Sequence, residues 1–421
     1  MTTEAAPGTD EADTDVAAAT TVARMAAADP WLLGVARAGD VIPGMGRDVL
    51  LHAGPPLKEG ELVGPMLGAL TGALRHEGLA RSDEEAARLL AGGHVGLRPA
   101  HDHAAVGPMA GVVSWSMPVF VVRDGATGAT AHVTVNEGLG RTLRFGANGP
   151  DVLDRLRWLA DVAAPTLHAA LELSGGLSLR SLIVEALTRG DECHNRNKAA
   201  TAQLCRVLAP AIVRANADGA AAADVLAFMG GNDHFFLNLS MAAGKVATMA
   251  AGPVAGSPVV TAIAGNGVEM GIRTAGTGDR WFTAPAPRAR EGRWIDGRGP
   301  DDAGAVMGDS FVTEVNGLGA FALAAAPAIS TYIGGTVDAL VATAQEMYAL
   351  TVTEHPHYRV PYLGYRGTPF GIDVRKVAAS GVAPVVNAGL ASKEAGVGQV
   401  GASLVRLPLA CFEAAATALA R

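Results

Sequence analysis

The chain is organised around the stretch Gly190-Asp191-Glu192-Cys193-His194-Asn195-Arg196-Asn197-Lys198. In this stretch acidic, basic, imidazole and amide side chains follow one another with almost no other residue between them. Apolar residues at helical spacing precede it, and a second apolar helical pattern follows it up to Pro210. Gly190 suits the end of the first helix, and Asp191 suits the N-cap of the second. The sequence therefore predicts two helices that meet at a tight corner, with the polar residues in the first turns of the second helix.

On such a helix the polar side chains divide between two neighbouring faces. Asp191, His194, Asn195 and Lys198 would share one face, and Glu192 and Arg196 would share the next. The free N–H groups and positive dipole end of a helix N-terminus favour an anionic ligand, and nearby cations strengthen that preference. An ordinary solvated first turn, capped by an aspartate, explains the same residues, so both interpretations stay open at this point.

Composition and charge exclude several classes of protein. Of the 421 residues, 49% are hydrophobic and only 5% are aromatic, so the cores must be built from small aliphatic side chains. The 33 Lys and Arg residues against 41 Asp and Glu residues give a net charge of −8, which argues against a nucleic-acid-binding surface. Small anions can still bind, because the local field matters more than the net charge.

The cysteines and the N-terminal segment indicate a cytoplasmic protein. Cys193, Cys205 and Cys411 lack metal-site spacing and cannot all pair, which favours a reducing compartment. Residues 1–20 are rich in Ala, Thr, Asp and Glu, so we expect a disordered acidic tail rather than a signal peptide. No uninterrupted apolar run reaches about 18 residues, so no membrane span is expected.

The alternation of helical and strand patterns predicts an α/β fold of mixed α+β layers with several domains, because single cores stop growing beyond about 250–300 residues. The predicted units are the tail (1–20), an N-terminal α/β domain (21–150), an inserted helical subdomain with the polar stretch (151–228), a central α/β domain (229–355) and a C-terminal segment packed on the core (356–421). The main predicted elements are helices at Thr21–Ala38, Asp151–Leu173, Thr331–Val352 and Pro408–Leu419, a hairpin at Val112–Val122 and Thr130–Val135, strands at Val259–Ile263, Val268–Thr274, Arg280–Thr283 and Val382–Leu390, and a loop-rich segment at Pro356–Gly371.

A segment rich in Gly and Pro, 96–108, carries Arg98, His101 and His103. The His-x-His spacing occurs in some zinc sites, but no third ligand stands at an obvious spacing, and we predict no metal. We interpret the segment as a substrate-facing loop, with histidines that cap backbone groups as the alternative. The turn after the predicted hairpin adds Asn136 and Glu137 as polar candidates.

A second polar helix start follows at Asn232-Asp233-His234, after two glycines. Because two such starts occur in an otherwise apolar chain, we expect both to face one cleft. Further on, Glu269 and Arg273 fall on one face of a predicted strand, which fits either a substrate-binding arginine or a surface ion pair. Gly308-Asp309-Ser310 is expected to begin a third capped helix that carries Glu314.

Ten segments, in chain order, resemble the YlbE-like family of domain-of-unknown-function proteins. They are IPGMGRDVLLHAGPP, GPMLGALTGAL, HDHAAVGPMAGVVSWSMPV, NEGLGRTLRFGA, GDECHNRNKAAT, FFLNLSMAAGK, GIRTAGTGDRWFTAPA, GDSFVTEVNGLGAFALAAAPAI, YRGTPFGID and GLASKEAGVGQVGA. They cover almost the whole chain outside the acidic tail. The family includes a subunit of the bacterial oxamate carbamoyltransferase that works beside an FdrA-like partner.

The resemblance implies a carbamoyltransferase component that moves a carbamoyl group between phosphate and the amide nitrogen of a small anion such as oxamate, in the catabolism of allantoin and related ureides. It implies FdrA-like and other subunits as partners, and we expect a homo-oligomer and no cofactor. Two alternatives from other classes stay open. One is a non-catalytic binding scaffold, and the other is a stand-alone hydrolase or lyase of a cyclic ureide or amide.

For that chemistry the candidate residues fall into two groups. The catalytic group contains possible bases and fixed donors for a developing oxyanion, namely Asp191, Glu192, His194, Asn195 and His234. The group that binds the anionic substrates comprises Arg196, Asn197, Lys198, Asn232, Asp233, Arg273, Arg98, His101, His103, Asn136 and Glu137.

Overall fold

The computed structural model describes residues 11–58, 60–216 and 218–420, and within them it shows an α/β fold in which helices alternate with small sheets. The predicted fold class is confirmed. The helices are α1 Glu11–Ala27, α2 Ala38–Val41, α3 Gly64–His76, α4 Asp83–Ala91, α5 Pro150–Trp158, α6 Ala164–Ser174, α7 Leu179–Thr188, α8 Lys198–Ala215, α9 Gly219–Gly230, α10 Leu237–Ala251, α11 Val312–Val315, α12 Ser330–Ile333, α13 Val337–Glu346, α14 Val374–Ser380 and α15 Leu409–Leu419.

The strands form sheets of two to four members. They are β1 Pro30–Arg37, β2 Val49–His52, β3 Gly96–Pro99, β4 Pro118–Asp124, β5 Thr130–Thr134, β6 Leu177–Ser178, β7 Val260–Asn266, β8 Glu269–Thr274, β9 Phe282–Pro285, β10 Arg293–Trp294, β11 Met307–Gly308, β12 Thr351–Val360, β13 Arg366–Ile372, β14 Val385–Ala391 and β15 Gln399–Arg406. The strand orders are β5-β4-β1-β6, β10-β15-β14, β11-β7-β8-β9, β12-β13 and β2-β3. The β2–β3 pair is parallel, and the other pairs are antiparallel.

Helix α10 runs through the largest hydrophobic cluster of the molecule. Thirteen of its 15 residues are buried, so even its polar residues Asn238, Ser240 and Lys245 lie inside the protein. The helix contacts α1, β4, β5, α7 and α11. At Gly244 a Cβ atom would lie 2.7 Å from the Val312 carbonyl oxygen, so only glycine allows α11 to approach this closely. Helix α10 therefore brings buried polar groups next to the segment that carries Glu314.

The N-terminal predictions need correction. Residues 11–20 belong to α1 and are not part of a disordered tail, and residues 1–10 of that predicted tail lie outside the described residues. The helix predicted over Thr21–Ala38 ends at Ala27, and its second half is strand β1. Pro30 explains the change, because a proline disfavours the helical conformation in the residue before it.

Two predictions near the C-terminus are also wrong in part. The long helix expected at Thr331–Val352 is broken at Gly334 and Gly335, both with positive φ, and resumes as α13. The segment expected to be loop-rich, Pro356–Gly371, contributes to the hairpin β12–β13. Pro356 is accommodated there because the strand pairing is irregular between Glu354 and Arg359.

Other elements are confirmed. The helix expected at Asp151–Leu173 is present as α5, a short π segment and α6, and the closing helix is α15. The strands expected in the central and C-terminal regions are present as β7, β8, β9 and β14. The hairpin is present as β4–β5, but its first strand begins at Pro118 and not at Val112. Helices α5 to α9 fill most of residues 151–228, but the division into domains stays a prediction.

No helix in the described part of the chain is long and apolar enough to cross a membrane.

Candidate functional site

The polar stretch after Gly190 is a loop and not the start of a helix, which corrects the sequence prediction. Helix α8 begins only at Lys198. Asp191 lies before α8 in the chain but still caps its N-terminal end, because its Oδ2 accepts a hydrogen bond of 2.8 Å from the Ala200 N–H. Cys193 has a φ of 60°, an unfavourable conformation for a non-glycine residue that the surrounding contacts must hold. The predicted division of these residues between two helix faces is therefore wrong.

Glu192 holds this loop together from inside. Its carboxylate accepts hydrogen bonds from the His194 N–H at 3.1 Å and the Arg196 N–H at 2.6 Å. Its carbonyl oxygen accepts from the Gly319 N–H at 2.8 Å. Burial, with the neighbouring charges of Glu314 and Asp191, raises the pKa of Glu192 to about 8. With both oxygens turned to the backbone, Glu192 shapes the loop rather than presenting a base to a ligand.

Cys193 and Asp191 are buried as well. Burial, followed by the nearby acidic charges, raises the pKa of the Cys193 thiol well above its usual range, so it does not supply a thiolate at neutral pH. Its carbonyl oxygen accepts a 2.6 Å hydrogen bond from the Ser240 hydroxyl of α10. Burial raises the pKa of Asp191 to about 6, against the hydrogen bond from Ala200 and the charge of Arg196.

His194 forms the centre of the site through a buried pair with Glu314. Its Nδ1 lies 2.9 Å and 3.0 Å from the two Glu314 carboxylate oxygens. That carboxylate also accepts hydrogen bonds from the Thr313 hydroxyl and from the Ala320 and Asn387 N–H groups. At Gly319 a Cβ would lie 2.3 Å from Glu314 Oε1, so glycine is required beside this carboxylate. The pair is thus rigidly positioned.

The Glu314 charge determines the protonation of His194. Burial acts to lower the pKa of His194, but the charge and hydrogen bond of Glu314, with a smaller effect of Glu192, outweigh it and raise the pKa above the ordinary value. Because Nδ1 is bound by Glu314, Nε2 is the ring nitrogen that remains for a ligand. A histidine oriented by a carboxylate in this way is typical of acid–base centres.

A narrow cavity lies against His194. Its free volume is about 10 Å³, close to the space of one water molecule. His194, Asn195 and His234 all line it, so the structure brings together these parts of the two polar segments. Its other lining residues are Pro108, Met109, Leu139, Arg144, Phe145, Leu237, Ser310, Tyr332, Gly389 and Gln399.

An amide network fixes the second polar segment. The Asn232 side chain donates to Asn136 Oδ1 at 3.1 Å, and its own oxygen accepts from the His234 N–H at 3.1 Å. Asn136 in turn donates to Asn238 of α10 at 2.7 Å. Burial, with the charges of Arg144 and His194, lowers the pKa of His234 to about 3, so this ring is neutral near pH 7. His234 is therefore suited to hydrogen bonding rather than to carrying charge.

Arg144 is the buried cation at this cavity. It donates to the Gly138 carbonyl oxygen, at 2.6 Å from Nη2. Glu137 accepts hydrogen bonds from the Leu143 and Arg144 N–H groups, at 2.7 Å and 3.2 Å. Burial raises the pKa of Glu137 against these hydrogen bonds and the Arg144 charge. Glu137 thus holds the turn that carries Arg144, and it is Arg144 that lines the cavity.

The remaining residues of the central stretch bind the protein itself. Arg196 donates to the Gly190 carbonyl oxygen at 2.9 Å and lies 3.3 Å from Asp191 Oδ1. Asn197 is buried and donates to the His194 carbonyl oxygen. Lys198 and Asp233 form an exposed ion pair at 3.3 Å. These contacts link the two polar segments, but none of the four side chains lines the His194 cavity.

Four further candidates from the sequence do not line the His194 cavity. Arg98 is exposed on β3, and His103 Nδ1 binds the Pro43 carbonyl oxygen at 2.7 Å, which fits the backbone-capping alternative. His101 and Arg273 line a second cavity together with Lys245, a residue of α10. Since His101 and His103 have separate partners, the geometry gives no support to a shared metal.

Several of these site residues were not among the candidates from sequence. Arg144, Tyr332, Gln399 and Lys245 lacked any assigned role, and Glu314 was noted only as part of a capped helix. The signal that could have found two of them is a lone charge in an apolar stretch: Lys245 between Ala243 and Val246, and Glu314 between Val312 and Val315. A buried charge of this kind requires a partner, and so marks a polar site.

Comparison with known proteins gives one consistent family. Residues 95–310 match the family model described as oxamate carbamoyltransferase subunit AllG. The chain is 43% identical to the Escherichia coli K12 protein named oxamate carbamoyltransferase subunit AllG, over 88% of this chain and 89% of that protein. It is 42% identical to the uncharacterized protein YahG of the same strain, over 93% of this chain and 83% of that protein.

A solved structure shares the whole fold. The crystal structure of a conserved protein of unknown function from Enterococcus faecalis V583 superposes with a TM-score of 0.94 at 42% identity, covering 96% of this chain and 97% of that one. The matches confirm the resemblance to the oxamate carbamoyltransferase subunit, while the YlbE-like grouping stays a prediction. With identity above 40% over most of both chains, the chain belongs to the family of the oxamate carbamoyltransferase subunit AllG.

Proposed function

We propose that this chain is the subunit of a carbamoyltransferase in which the His194 cavity handles the carbamoyl group. The reaction is oxalurate plus phosphate giving oxamate plus carbamoyl phosphate, in cytoplasmic ureide catabolism. The observation that carries the proposal is the buried His194–Glu314 pair, with a ring nitrogen left for a ligand beside a buried arginine. The relationship to AllG supplies the substrate class.

The chemistry requires a proton at the substrate nitrogen. When phosphate attacks the ureido carbonyl carbon, the C–N bond breaks and the departing oxamate nitrogen must gain a proton. Protonated His194 donates it from Nε2 while Glu314 stabilises the imidazolium through Nδ1. In the reverse direction neutral His194 accepts the proton from the attacking amide. Glu314 raises the pKa of His194 above its ordinary value, which favours the protonated form that donates.

The charge that develops on the carbonyl oxygen needs fixed donors. Arg144 and the neutral His234 line the cavity and can meet that oxygen or a phosphate oxygen. The Asn195 side chain donates to Asn387 Oδ1, which orients the loop that carries His194. Among the described residues, Arg144 is the arginine that lines this cavity beside His194. It therefore takes the anion-binding role that the sequence assigned to Arg196.

The cavity must open for catalysis. A free volume of about 10 Å³ admits one water but not oxalurate, so substrate reaches His194 only after part of the wall moves. Tyr332 and Gln399, joined by a 2.8 Å hydrogen bond, form part of that wall. We propose that docking of FdrA-like and other carbamoyltransferase subunits supplies this opening. The same closed state favours the second candidate, a binding subunit whose partners hold the catalytic groups.

An assay with and without partners tests the proposal. The purified chain, alone and combined with FdrA-like and other carbamoyltransferase subunits, is given carbamoyl phosphate with or without oxamate, and phosphate release is measured. We expect oxamate-dependent release from the combination and little from the lone chain. Phosphate release that does not depend on oxamate would contradict the proposal. An equal rate of release from the partner subunits without this chain would contradict it as well.

A further inference from the structure

A second cavity lies between α10 and the β7–β8 strands. Its free volume is about 240 Å³, enough for a small metabolite. Lys245, Arg273 and His101 line it, and each of these side chains is more than nine-tenths buried. Burial of three charged or titratable side chains costs free energy. The His194 chemistry uses none of the three.

The contacts of Lys245 suit a neutral amine. Its Nζ donates to the His101 carbonyl oxygen at 3.1 Å and lies 3.3 Å from His101 Nδ1. With the ring hydrogen of His101 on Nε2, these two contacts use both N–H groups of a neutral amine and leave its lone pair free. An ammonium group would have a third N–H, for which these hydrogen bonds provide no acceptor. Lys245 in this state is a nucleophile.

The groups around Lys245 act on its charge in opposite directions. Burial and the charge of Arg273 lower the pKa of Lys245 to about 8, while Asp309, Asp102 and Asp279 oppose them. Arg273 cannot move away, because it pairs with Asp102 and Asp279 and stacks on Trp281, 4.2 Å from the ring centroid. A desolvated lysine beside a fixed cation is the arrangement that activates amines toward carbonyl compounds.

His101 is placed to relay the proton that Lys245 loses; burial and the charges of Lys245 and Arg273 lower the pKa of His101 well below its ordinary value, so it holds that proton only in passing. Because His101 Nδ1 accepts a hydrogen bond from Lys245, the hydrogen of the neutral ring is on Nε2. Nε2 lies 3.7 Å from Asp309 Oδ1. The Asp309 carboxylate is itself fixed by the Gly54 and Gly107 N–H groups, at 2.8 Å and 2.9 Å. Asp309, His101 and Lys245 therefore form a line of titratable groups that ends at the cavity.

Two buried nitrogen atoms beside this cavity have no hydrogen-bond partner in the described part of the chain, and one of them, on Arg273, is not directed at another titratable group. Within residues 11–58, 60–216 and 218–420, His101 Nε2 and Arg273 Nε have no hydrogen-bond partner. The Arg273 N–H is a donor suited to a carboxylate oxygen. We propose that this cavity is a second reactive centre, where the Lys245 amine attacks the oxo carbon of a small 2-oxo acid whose carboxylate binds Arg273.

The step balances without an added oxidant or reductant. The Nζ lone pair forms a C–N bond to the oxo carbon, and an Nζ proton passes to His101 Nδ1. Return of that proton to the alkoxide oxygen gives the neutral carbinolamine. The second Nζ proton then passes by way of His101 to the departing hydroxyl group, so that the C–O bond breaks, water leaves and an imine remains between Lys245 and the acid. This inference is independent of the carbamoyl transfer, so its failure would leave the proposed function untouched.

Reductive trapping tests the inference on the intact wild-type chain. Pyruvate with cyanoborohydride converts an imine into a stable carboxyethyl-lysine, which peptide mass spectrometry locates. We expect labelling at Lys245 at least about tenfold above the exposed Lys58 and Lys198, because more of its amine is neutral at pH 7. Labelling confined to the exposed lysines, or equal at all sites, would overturn the inference.

Two variants separate reactivity from accessibility. Lys245→Arg should abolish the label at this position and leave that at Lys58 unchanged. Arg273→Gln should shift the pH midpoint of Lys245 labelling upward, because a cation that disfavours the ammonium is removed. An unchanged midpoint in a folded Arg273→Gln protein would contradict the proposed activation, and wild-type labelling tests the imine even if that variant does not fold.

Discussion

The two cavities differ in free volume and in the number of hydrogen bonds that hold the carboxylate beside each of them. Around His194, one carboxylate accepts hydrogen bonds from four residues and the free volume is about 10 Å³. Around Lys245, the Asp309 carboxylate accepts hydrogen bonds from two residues and the free volume is about 240 Å³. The first centre is preorganised and closed, and the second is open. Equivalent changes in the two should therefore have unequal effects.

The carboxylates Glu314 and Asp309 provide the sharpest contrast. Glu314→Gln places an amide N–H₂ against several donors and breaks a buried pair, so we expect a loss of about 3–5 kcal/mol in the free energy of unfolding. Asp309→Asn, the matched control, disturbs two backbone donors, and we expect about 1–3 kcal/mol. Urea unfolding at pH 7 measures both. Equal losses would remove the distinction between the two carboxylates.

The pH dependence of stability distinguishes Asp309 further. Burial raises the pKa of Asp309 to about 7, against its two backbone hydrogen bonds and the charges of Lys245 and Arg273. A raised pKa means that the protonated group stabilises the fold at low pH and that this contribution is lost as pH rises from about 4 to 7. In Asp309→Asn this decline, up to about 1.4 kcal/mol per pH unit, should be absent. Parallel curves for both proteins across pH 5–7 would refute the raised pKa.

Arg196 tests whether the central loop binds ligand or only holds its own shape. The sequence placed Arg196 among the residues that bind the anionic substrates, whereas its contacts with Gly190 and Asp191 favour a structural role. We now expect a loss of about 1–2 kcal/mol in unfolding free energy with near-normal turnover in the assembled enzyme. Lys198→Ala, which removes an exposed ion pair, is the control and should change stability by less than about 1 kcal/mol. Weak phosphate binding by a stable Arg196→Ala protein would restore the ligand role.

Sequence patterns predicted the periodic elements better than the site. Apolar spacing located α15 and the β7–β8 hairpin, and composition identified the stretch that contains His194. The loop conformation at Asp191 could not be predicted, because it depends on Glu192 binding distant backbone groups such as Gly319. Glu314 lies 120 positions from His194, and their pairing arises from tertiary packing at Gly244 and Gly319. Local propensity contains no information on such contacts.

The most direct test of the central claim is the pH–rate profile of the assembled carbamoyltransferase with wild-type or His194→Gln subunit. Loss of an acid–base group predicts oxamate-dependent phosphate release from carbamoyl phosphate about a hundredfold slower in the variant, assayed at a temperature where the variant is folded, because loss of the buried pair with Glu314 also lowers its stability. His94→Gln, at an exposed histidine, is the matched control and should retain the wild-type rate. A His194→Gln enzyme that works at the wild-type rate across pH 6–9 would contradict the account and leave His194 a structural residue.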